Sequence, residues 1–161
     1  MQVLWAPWRM AYVGGPKVSG CLFCAASTST DHRHDLVLAQ QPAVVMLNKF
    51  PYANGHLMVA PRRHVAEFSG LSADEFQTLT HTLQRTTVLL AEALRPEGMN
   101  IGMNLGAAAG AGIKDHLHWH IVPRWNGDTN FMPLLAEGRV MPEHLDATYD
   151  RLEPFFAELQ T

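Results

Sequence analysis

The sequence predicts an α+β protein whose antiparallel sheet is a meander of short strands, with one long helix inserted and another near the end. Three observations support this fold class. Short apolar runs are separated by turn-forming residues, residues 72–94 have the periodicity of an amphipathic helix, and strand-like and helix-like segments do not alternate. A parallel α/β fold would require that alternation, so the pattern argues against one.

The composition is that of an ordinary globular domain. A chain of 161 residues with 47% hydrophobic and 17% charged residues fits a single domain over residues 1–161 with a sizeable core. The net charge of −3 and the lack of a basic run argue against nucleic acid as a partner. No apolar run approaches the ~20 residues that span a membrane. The first residues do not resemble a signal peptide, so we expect a cytoplasmic protein without a membrane partner.

The beginning of the chain has an aromatic segment and a pair of cysteines. Residues 4–12 contain three aromatic side chains and either dock on the domain or line a substrate pocket or subunit interface. The only cysteines, Cys21 and Cys24, have the spacing Cys-x-x-Cys. In a chain without a secretion signal, this spacing favours metal ligation or redox chemistry over a structural disulfide.

Three strands are predicted before the long helix. Residues 36–47 contain two strand-like runs around a turn at residues 40–42, which indicates a hairpin. Residues 48–55 form a loop rich in turn-forming residues, and residues 55–61 are the third strand.

The clearest helix covers residues 72–94. Ser72 and Glu75 have the spacing of a capping box, and Pro96 and Gly98 mark the end of the helix. Apolar residues at helical spacing predict a buried stripe that consists of Phe76, Leu79, Leu83, Leu90 and Leu94. We assign this helix to the scaffold.

A further strand and a loop almost without side chains follow the helix. Residues 99–105 predict the strand, and residues 106–112 are nearly all glycine and alanine. The loop is either a flexible connector without a function or a place where backbone amides approach an anionic ligand. Residues 126–128 predict a turn, and residues 141–159 predict a final amphipathic helix.

The most informative segment is residues 116–122, in which His116, His118 and His120 alternate with large apolar residues. Alternate side chains of a strand share a face, so the three imidazoles should line one side. The core side then carries Leu117, Trp119 and Ile121. A row of this kind is either catalytic, a metal site alone, or purely structural.

This segment resembles the motif of the histidine triad (HIT) family of nucleotide hydrolases and transferases, His-φ-His-φ-His-φ-φ with φ apolar. The resemblance implies a HIT-like fold, a nucleotide substrate and a homodimer. It makes His118 the nucleophile and His120 the residue that contacts the phosphate and assists the leaving group. It also implies that His56, in the strand at residues 55–61, supports the site.

An imidazole is suited to that role. Its ordinary pKa is ~6.5, so the neutral ring is available near pH 7. Attack on an α-phosphorus gives a nucleotidyl-histidine and divides one displacement into two easier steps. Neighbouring groups must stabilise charge on the phosphoryl oxygens and the leaving group.

The resemblance assigns substrate contacts as well. Asn48 has the position of the family's ribose-binding residue, and Asn104 that of an amide near the phosphates. Many members also carry Gln or Ser three or four residues before the first triad histidine, where this chain has Gly112 and Ile113. Phosphate contacts there would have to come from the backbone amides of the loop from Gly110 to Gly112.

The cysteine pair also gains a role from the resemblance. Several HIT relatives hold a structural zinc ion on a Cys-x-x-Cys, a later histidine and the first triad histidine, which correspond to Cys21, Cys24, His64 and His116. Two thiolates and two imidazoles complete a closed tetrahedral Zn²⁺ site. The alternatives are a redox pair or two cysteines that are adjacent by chance. Whether Mg²⁺ accompanies the substrate cannot be read from the sequence.

Residues 4–12 and 123–131 resemble the bacterial branch of the family that includes diadenosine tetraphosphate phosphorylases. We expect a zinc-binding segment at about residues 4–30 and a C-terminal extension at about residues 132–161. The expected function is cleavage of dinucleoside polyphosphates at the α-phosphate, with phosphate or water as acceptor. The alternatives are a nucleoside phosphoramidate hydrolase and a zinc-stabilised nucleotide-binding protein with negligible turnover.

Overall fold

The computed structural model describes residues 20–128 and 143–160. The helices are α1 (Leu22–Ala26), α2 (Ala73–Leu94) and α3 (Leu145–Phe156). The strands are β1 (Val37–Ala39), β2 (Val44–Leu47), β3 (Leu57–Ala60), β4 (Gly98–Gly102) and β5 (Trp119–Arg124). Short 3₁₀ segments cover Phe68–Gly70, Ala107–Ala109 and Ala157–Gln160. The predicted aromatic segment at residues 4–12 and the first residues of the predicted last helix lie outside the described residues.

The five strands form one antiparallel sheet in the order β1-β2-β3-β5-β4. The predicted α+β class is therefore confirmed. Strand β5 lies between β3 and β4, although α2 separates it from β3 along the chain. No helix in the two described ranges is long and apolar enough to cross a membrane.

Each face of the sheet is covered by different helices. The larger apolar cluster lies between one face and helices α2 and α3, and it includes Leu47, Val59, Leu90, Ile121 and Leu152. On the opposite face, Phe23 and Ala26 of α1 pack against Val44, Met46 and Met58. The histidines lie on this second face, because His120 pairs in register with Met58.

Helix α2 begins and ends where the sequence predicts. Ser72 Oγ accepts a hydrogen bond from the N–H of Glu75, and the Glu75 carboxylate accepts one from the N–H of Ser72, which completes the capping box. Leu79 and Leu90 are fully buried, as predicted. The prediction for Phe76 is wrong, because its ring is 40% exposed and packs edge-on against Phe68 rather than in the core.

Two segments differ from the sequence predictions. The cysteine pair introduces the short helix α1, which was not predicted; Cys21 is its N-cap. The histidine strand begins at Trp119 rather than at His116, because its pairing with β3 ends at Val59. Pro61 follows β3 and has no N–H to continue the ladder.

Candidate functional site

Three histidine side chains meet on one face of the sheet. His56 directly precedes β3, His118 directly precedes β5, and His120 lies within β5. The ring centroids of His118 and His120 are 4.8 Å apart, and those of His56 and His120 are 5.0 Å apart. The antiparallel pairing of β3 with β5 therefore brings together residues that are 64 positions apart in sequence.

Hydrogen bonding assigns the proton positions of His118. Its Nδ1 lies 2.8 Å from the backbone carbonyl oxygen of His116, and a carbonyl can only accept. The proton of the neutral ring is therefore on Nδ1, and Nε2 keeps its lone pair. Nε2 is the nitrogen that can act as a nucleophile.

A chain of hydrogen bonds assigns the other two rings. The backbone N–H of Tyr52 donates to Nδ1 of His56 over 3.1 Å, so the proton of His56 is on Nε2. This Nε2 lies 2.9 Å from Nδ1 of His120 and donates to it. The proton of neutral His120 is consequently on Nε2. The site thus contains an unprotonated nitrogen, Nε2 of His118, and an N–H donor, Nε2 of His120, on adjacent rings.

Burial keeps the imidazole rings of His118 and His120 neutral. Burial lowers the pKa of His118 below its ordinary value, although the hydrogen bond to His116 opposes the shift. Burial and the neighbouring His118 lower the pKa of His120 to about 4. The Phe23 ring contributes to this burial, since its centroid lies 4.9 Å from that of His118. Both rings are therefore neutral near pH 7.

Sequence reasoning did not identify Tyr52 and Phe23. Tyr52 donates its N–H to His56 and stacks its ring on the imidazole, with centroids 4.7 Å apart. Tyr52 belongs to the turn-rich loop before β3. The turn brings its backbone N–H to the ring of His56, four residues later, and a contact made by the backbone cannot be read from the side chains in the sequence. Phe23 lies on helix α1 between the two cysteines, and its aromatic side chain at that place is the feature of the sequence that could have identified it.

The predicted substrate-binding residues lie at different distances from the row. The Asn48 amide nitrogen is 3.4 Å from Nδ1 of His56, and its Oδ1 accepts the N–H of Phe50. Asn104 is half-buried just after β4, and Gly110 and Gly112 are exposed in the following loop. In the part of the chain that the structure describes, no hydrogen bond joins these last three residues to the histidine row. The N–H of Gly110 donates to the carbonyl of Ala107 within the loop.

Four further side chains meet beside the row. The possible ligand atoms of Cys21, Cys24, His64 and His116 all lie within 4.8 Å of one another. Cys21 Sγ is 3.1 Å from Nδ1 of His116, and Cys24 Sγ is 3.4 Å from Nδ1 of His64. These spacings suit a single ion with Zn–S bonds of about 2.3 Å and Zn–N bonds of about 2.0 Å. The structure thus brings together all four predicted metal ligands.

The protonation of this cluster also fits a cation. His116 Nε2 donates to the carbonyl oxygen of Pro61 over 2.8 Å, so its Nδ1 presents a lone pair to the thiols. Burial and the adjacent Cys21 raise the pKa of the Cys24 thiol, which disfavours two thiolates without a compensating charge. A divalent ion would supply that charge. Neither this cluster nor the comparisons below support a site for Mg²⁺.

Known sequences match this chain over most of its length. A family model described as "HIT domain" matches residues 29–127. An AP-4-A phosphorylase from Mycobacterium tuberculosis is 36% identical over 157 residues, which cover 92% of this chain and 80% of that protein. A bifunctional bis(5'-adenosyl)-triphosphatase/adenylylsulfatase from Arabidopsis thaliana is 29% identical over 119 residues, which cover 71% of this chain and 66% of that protein.

Solved structures show the same fold. A zinc-bound histidine triad family protein from Mycobacterium smegmatis superposes with a TM-score of 0.67 at 26% identity, over 87% of this chain and 95% of that one. A hypothetical histidine triad nucleotide-binding protein from Sulfolobus tokodaii superposes with a TM-score of 0.67 at 22% identity, over 86% of this chain and 93% of that one.

Proposed function

The chain belongs to the HIT domain family, and from this membership we propose that it cleaves dinucleoside polyphosphates such as diadenosine tetraphosphate at the α-phosphorus. Its sequence relatives include proteins named as an AP-4-A phosphorylase and as a bis(5'-adenosyl)-triphosphatase, which supports a nucleotide-processing enzyme. We further infer that His118 forms a covalent nucleotidyl intermediate.

The observation that carries the proposal is the bare Nε2 of His118. The carbonyl of His116 holds the proton on the opposite ring nitrogen. A buried neutral imidazole with one fixed tautomer is prepared for attack, because neither deprotonation nor ring rotation precedes bond formation. The two residues are only two positions apart, so the backbone conformation just before β5 is enough to place the carbonyl of His116 at Nδ1 of His118.

In the first step, Nε2 of His118 attacks the α-phosphorus and the bond to the bridging oxygen breaks. The leaving nucleoside polyphosphate takes the electron pair of that bond. His120 presents its Nε2–H to the phosphoryl and bridging oxygens, where negative charge develops. The hydrogen bond from this N–H stabilises the charge that develops on the leaving oxygen.

In the second step, an oxygen of inorganic phosphate or of water attacks the phosphorus of the nucleotidyl-histidine. The P–N bond breaks, its electron pair returns to Nε2 of His118, and an attacking water releases one proton to solvent. Diadenosine tetraphosphate then yields ATP plus ADP with phosphate as acceptor, or ATP plus AMP with water.

We propose that Asn48 contacts the ribose and that Asn104 and the amides of the loop from Gly110 to Gly112 contact the phosphates. The position of Asn48 supports this assignment, since it is half-buried beside His56. The loop fits its role because residues 106–112 are all glycine or alanine, so their backbone amides are accessible to an anionic ligand.

We propose that Cys21, Cys24, His64 and His116 hold a structural Zn²⁺ ion. Zinc bound there would fix the position of α1 and of the backbone before β5, without an open coordination position for a substrate. The four donor atoms of the cluster and the zinc-bound relative support this assignment. Cysteines placed as metal ligands also fit a reducing compartment such as the cytoplasm.

We propose that the protein is a homodimer that pairs through β4. Strand β4 is an edge of the sheet and is exposed, whereas the residues of β1 at the other edge are all buried. Ile101 is 47% exposed and Leu105 is 50% exposed. An exposed edge strand with apolar side chains needs a partner in order not to aggregate, and a second copy would extend the sheet.

Product analysis tests the proposed reaction. Purified protein is incubated with diadenosine tetraphosphate with and without inorganic phosphate. ATP and ADP formed only with phosphate identify a phosphorylase, and ATP and AMP formed in both tubes identify a hydrolase. No cleavage in either tube would contradict the dinucleotide substrate, and adenosine phosphoramidate would be tested next.

Trapping tests the intermediate. An acid-labile nucleotidyl adduct should form on the wild-type protein and be absent from His118→Ala. The control is His81→Ala, because His81 is exposed on α2 and lies outside the site. An adduct that persists in His118→Ala would show that another residue is the nucleophile.

A further inference from the structure

The C-terminal helix α3 lies outside the residues matched by the HIT domain model, yet it contacts the loop before His56. Thr148, near the start of α3, is 1% exposed. Its hydroxyl lies 2.9 Å from Oε2 of Glu143 and 3.1 Å from Oδ1 of Asn54. The Asn54 amide donates to the same Glu143 oxygen over 3.1 Å. We call Asn54, Glu143 and Thr148 the polar node.

The polar node is anchored on the side of the helix. Arg151, one turn further along α3, donates to the other oxygen of Glu143 over 2.6 Å. The hydroxyl of Tyr149, which is fully buried, donates to the carbonyl oxygen of Val37 in β1 over 2.9 Å. Helix α3 is therefore held on the sheet, and the polar node fixes Asn54 relative to it.

On the other side, Asn54 belongs to the turn that sets the protonation of His56. The carbonyl of Ala53 accepts the backbone N–H of His56 over 3.2 Å. The N–H of Tyr52 donates to the ring of His56. In the chain, Asn54 lies between His56 and the two residues that bond to it, the acceptor Ala53 and the donor Tyr52. A displaced Asn54 would therefore move the groups that orient the imidazole.

We propose that Asn54 and Thr148 are positioning residues that hold the loop so that His56 directs the Nε2–H of His120 at the substrate. The catalytic consequence rests on the proposed function, whereas the effect on the tautomer of His56 does not. Helix α3, which lies outside the residues matched by the HIT domain model, thus acts on the reaction through the turn that contains Asn54.

The test compares Thr148→Val and Asn54→Ala with the wild-type protein. Valine keeps the shape of threonine and removes the hydroxyl. Side-chain ¹H–¹⁵N correlation spectra report which ring nitrogen of His56 carries the proton, and kinetics separate kcat from KM. We expect both variants to show a mixed tautomer at His56 and about a 10-fold lower kcat, a part of the roughly 10²-fold that a misplacement of about 1 Å can cost.

Two control variants separate positioning from stability. Thr148→Ser keeps the hydroxyl and should retain the wild-type tautomer and kcat. Asp150→Asn removes the exposed ion pair with Arg33 from the same helix and should lower stability without affecting His56. If Thr148→Val does not fold, Asn54→Ala decides, because Asn54 is only half-buried in a loop.

The proposal is overturned if the folded Thr148→Val or Asn54→Ala protein keeps both the wild-type tautomer of His56 and the wild-type kcat. It is also overturned if Thr148→Ser behaves like Thr148→Val. If the wild-type protein cleaves no nucleotide, the proposed function fails, and the tautomer of His56 alone decides the positioning role.

Discussion

At the scale of single residues, the backbone N–H of Tyr52 determines the proton positions of two imidazoles. It donates to His56, and His56 in turn donates to His120. The ring of Tyr52 has a second role, because it is stacked on His56 and its centroid lies 5.9 Å from that of His120. The ring of Tyr52 thus covers part of both imidazoles and contributes to their burial.

We therefore predict that Tyr52→Ala raises the pKa of His120. In the wild-type protein, burial and the nearby His118 hold this pKa at about 4, so His120 stays neutral as the pH falls from 8 to 5. Without the tyrosine ring, water reaches the pair and the pKa should move toward the ordinary value of 6.5. Titration of the His120 resonances by NMR measures the shift.

Tyr52→Phe is the matched control, because it keeps the stacked ring and the backbone N–H. Its His120 should titrate as in the wild-type protein.

Since the folded pKa of His120 lies below its unfolded value, the contribution of the His120 ring to stability is complete above pH 6.5 and is lost as the pH falls through about 4. A His120 that titrates near 6.5 in the wild-type protein would contradict the burial argument.

At the scale of elements, the loop before β3 is held tightly against the end of α2. Gly55 has a φ of +74°, a conformation that favours glycine. A Cβ at this position would lie 2.3 Å from Leu94 Cδ1 and 3.3 Å from the ring of Pro123. The backbone conformation thus favours glycine next to His56, and an added Cβ would also force the end of the Leu94 side chain to move.

We predict that Gly55→Ala destabilises the protein by about 2–3 kcal/mol, since backbone strain and overpacking add. Gly98→Ala is the control, because no atom lies within 4 Å of its added Cβ. Urea unfolding of the two variants measures the difference. Equal stabilities would show that the loop moves away from α2 at little cost.

The cysteine–histidine cluster joins helix α1 to the backbone before β5, so removal of the proposed zinc ion should affect both segments. We predict that His64→Ala loses its bound zinc and about 3–4 kcal/mol of stability, the amount that a ligand at several hundred times its Kd supplies. For a chain of this length this corresponds to a Tm lower by roughly 10 °C. Metal analysis and thermal unfolding provide the two measurements.

His81→Ala is matched to this variant, because both histidines are exposed. It should keep one zinc ion per chain and the wild-type Tm. If chelation of the wild-type protein removes zinc without lowering the Tm, the ion does not contribute to the fold.

The elements show which features a sequence makes predictable. Period-two alternation locates β5, and the capping box locates α2, because these patterns are local. Local patterns do not show that Phe76 packs on Phe68 rather than in the core, since this contact depends on what lies across space. For the same reason the resemblance implies only that His56 supports the site, whereas its hydrogen bond to His120 and the role of Tyr52 come from the structure.

At the scale of the whole molecule, the sheet has two unlike edges. Helix α3 packs against β1, whereas β4 presents exposed side chains. We predict that Ile101→Glu converts a dimer into a monomer, because a carboxylate at a paired edge would be buried without a partner. Size-exclusion chromatography with light scattering measures the mass.

The control is Phe155→Glu, which places the same charge at an exposed apolar position on α3. This variant should remain a dimer. A monomeric wild-type protein would contradict the proposed pairing through β4.

The order of the strands has a consequence for folding. Strands β1 to β3 are neighbours both in the chain and in the sheet, so they can pair early through short-range contacts. His56 meets His120 only after a segment that includes α2 has closed over a separation of 64 residues. On the ribosome, the first three strands leave the exit tunnel well before β5. A nascent chain can therefore form a partial sheet before His56 meets His120, so the hydrogen bond between these two imidazoles marks a late stage of folding.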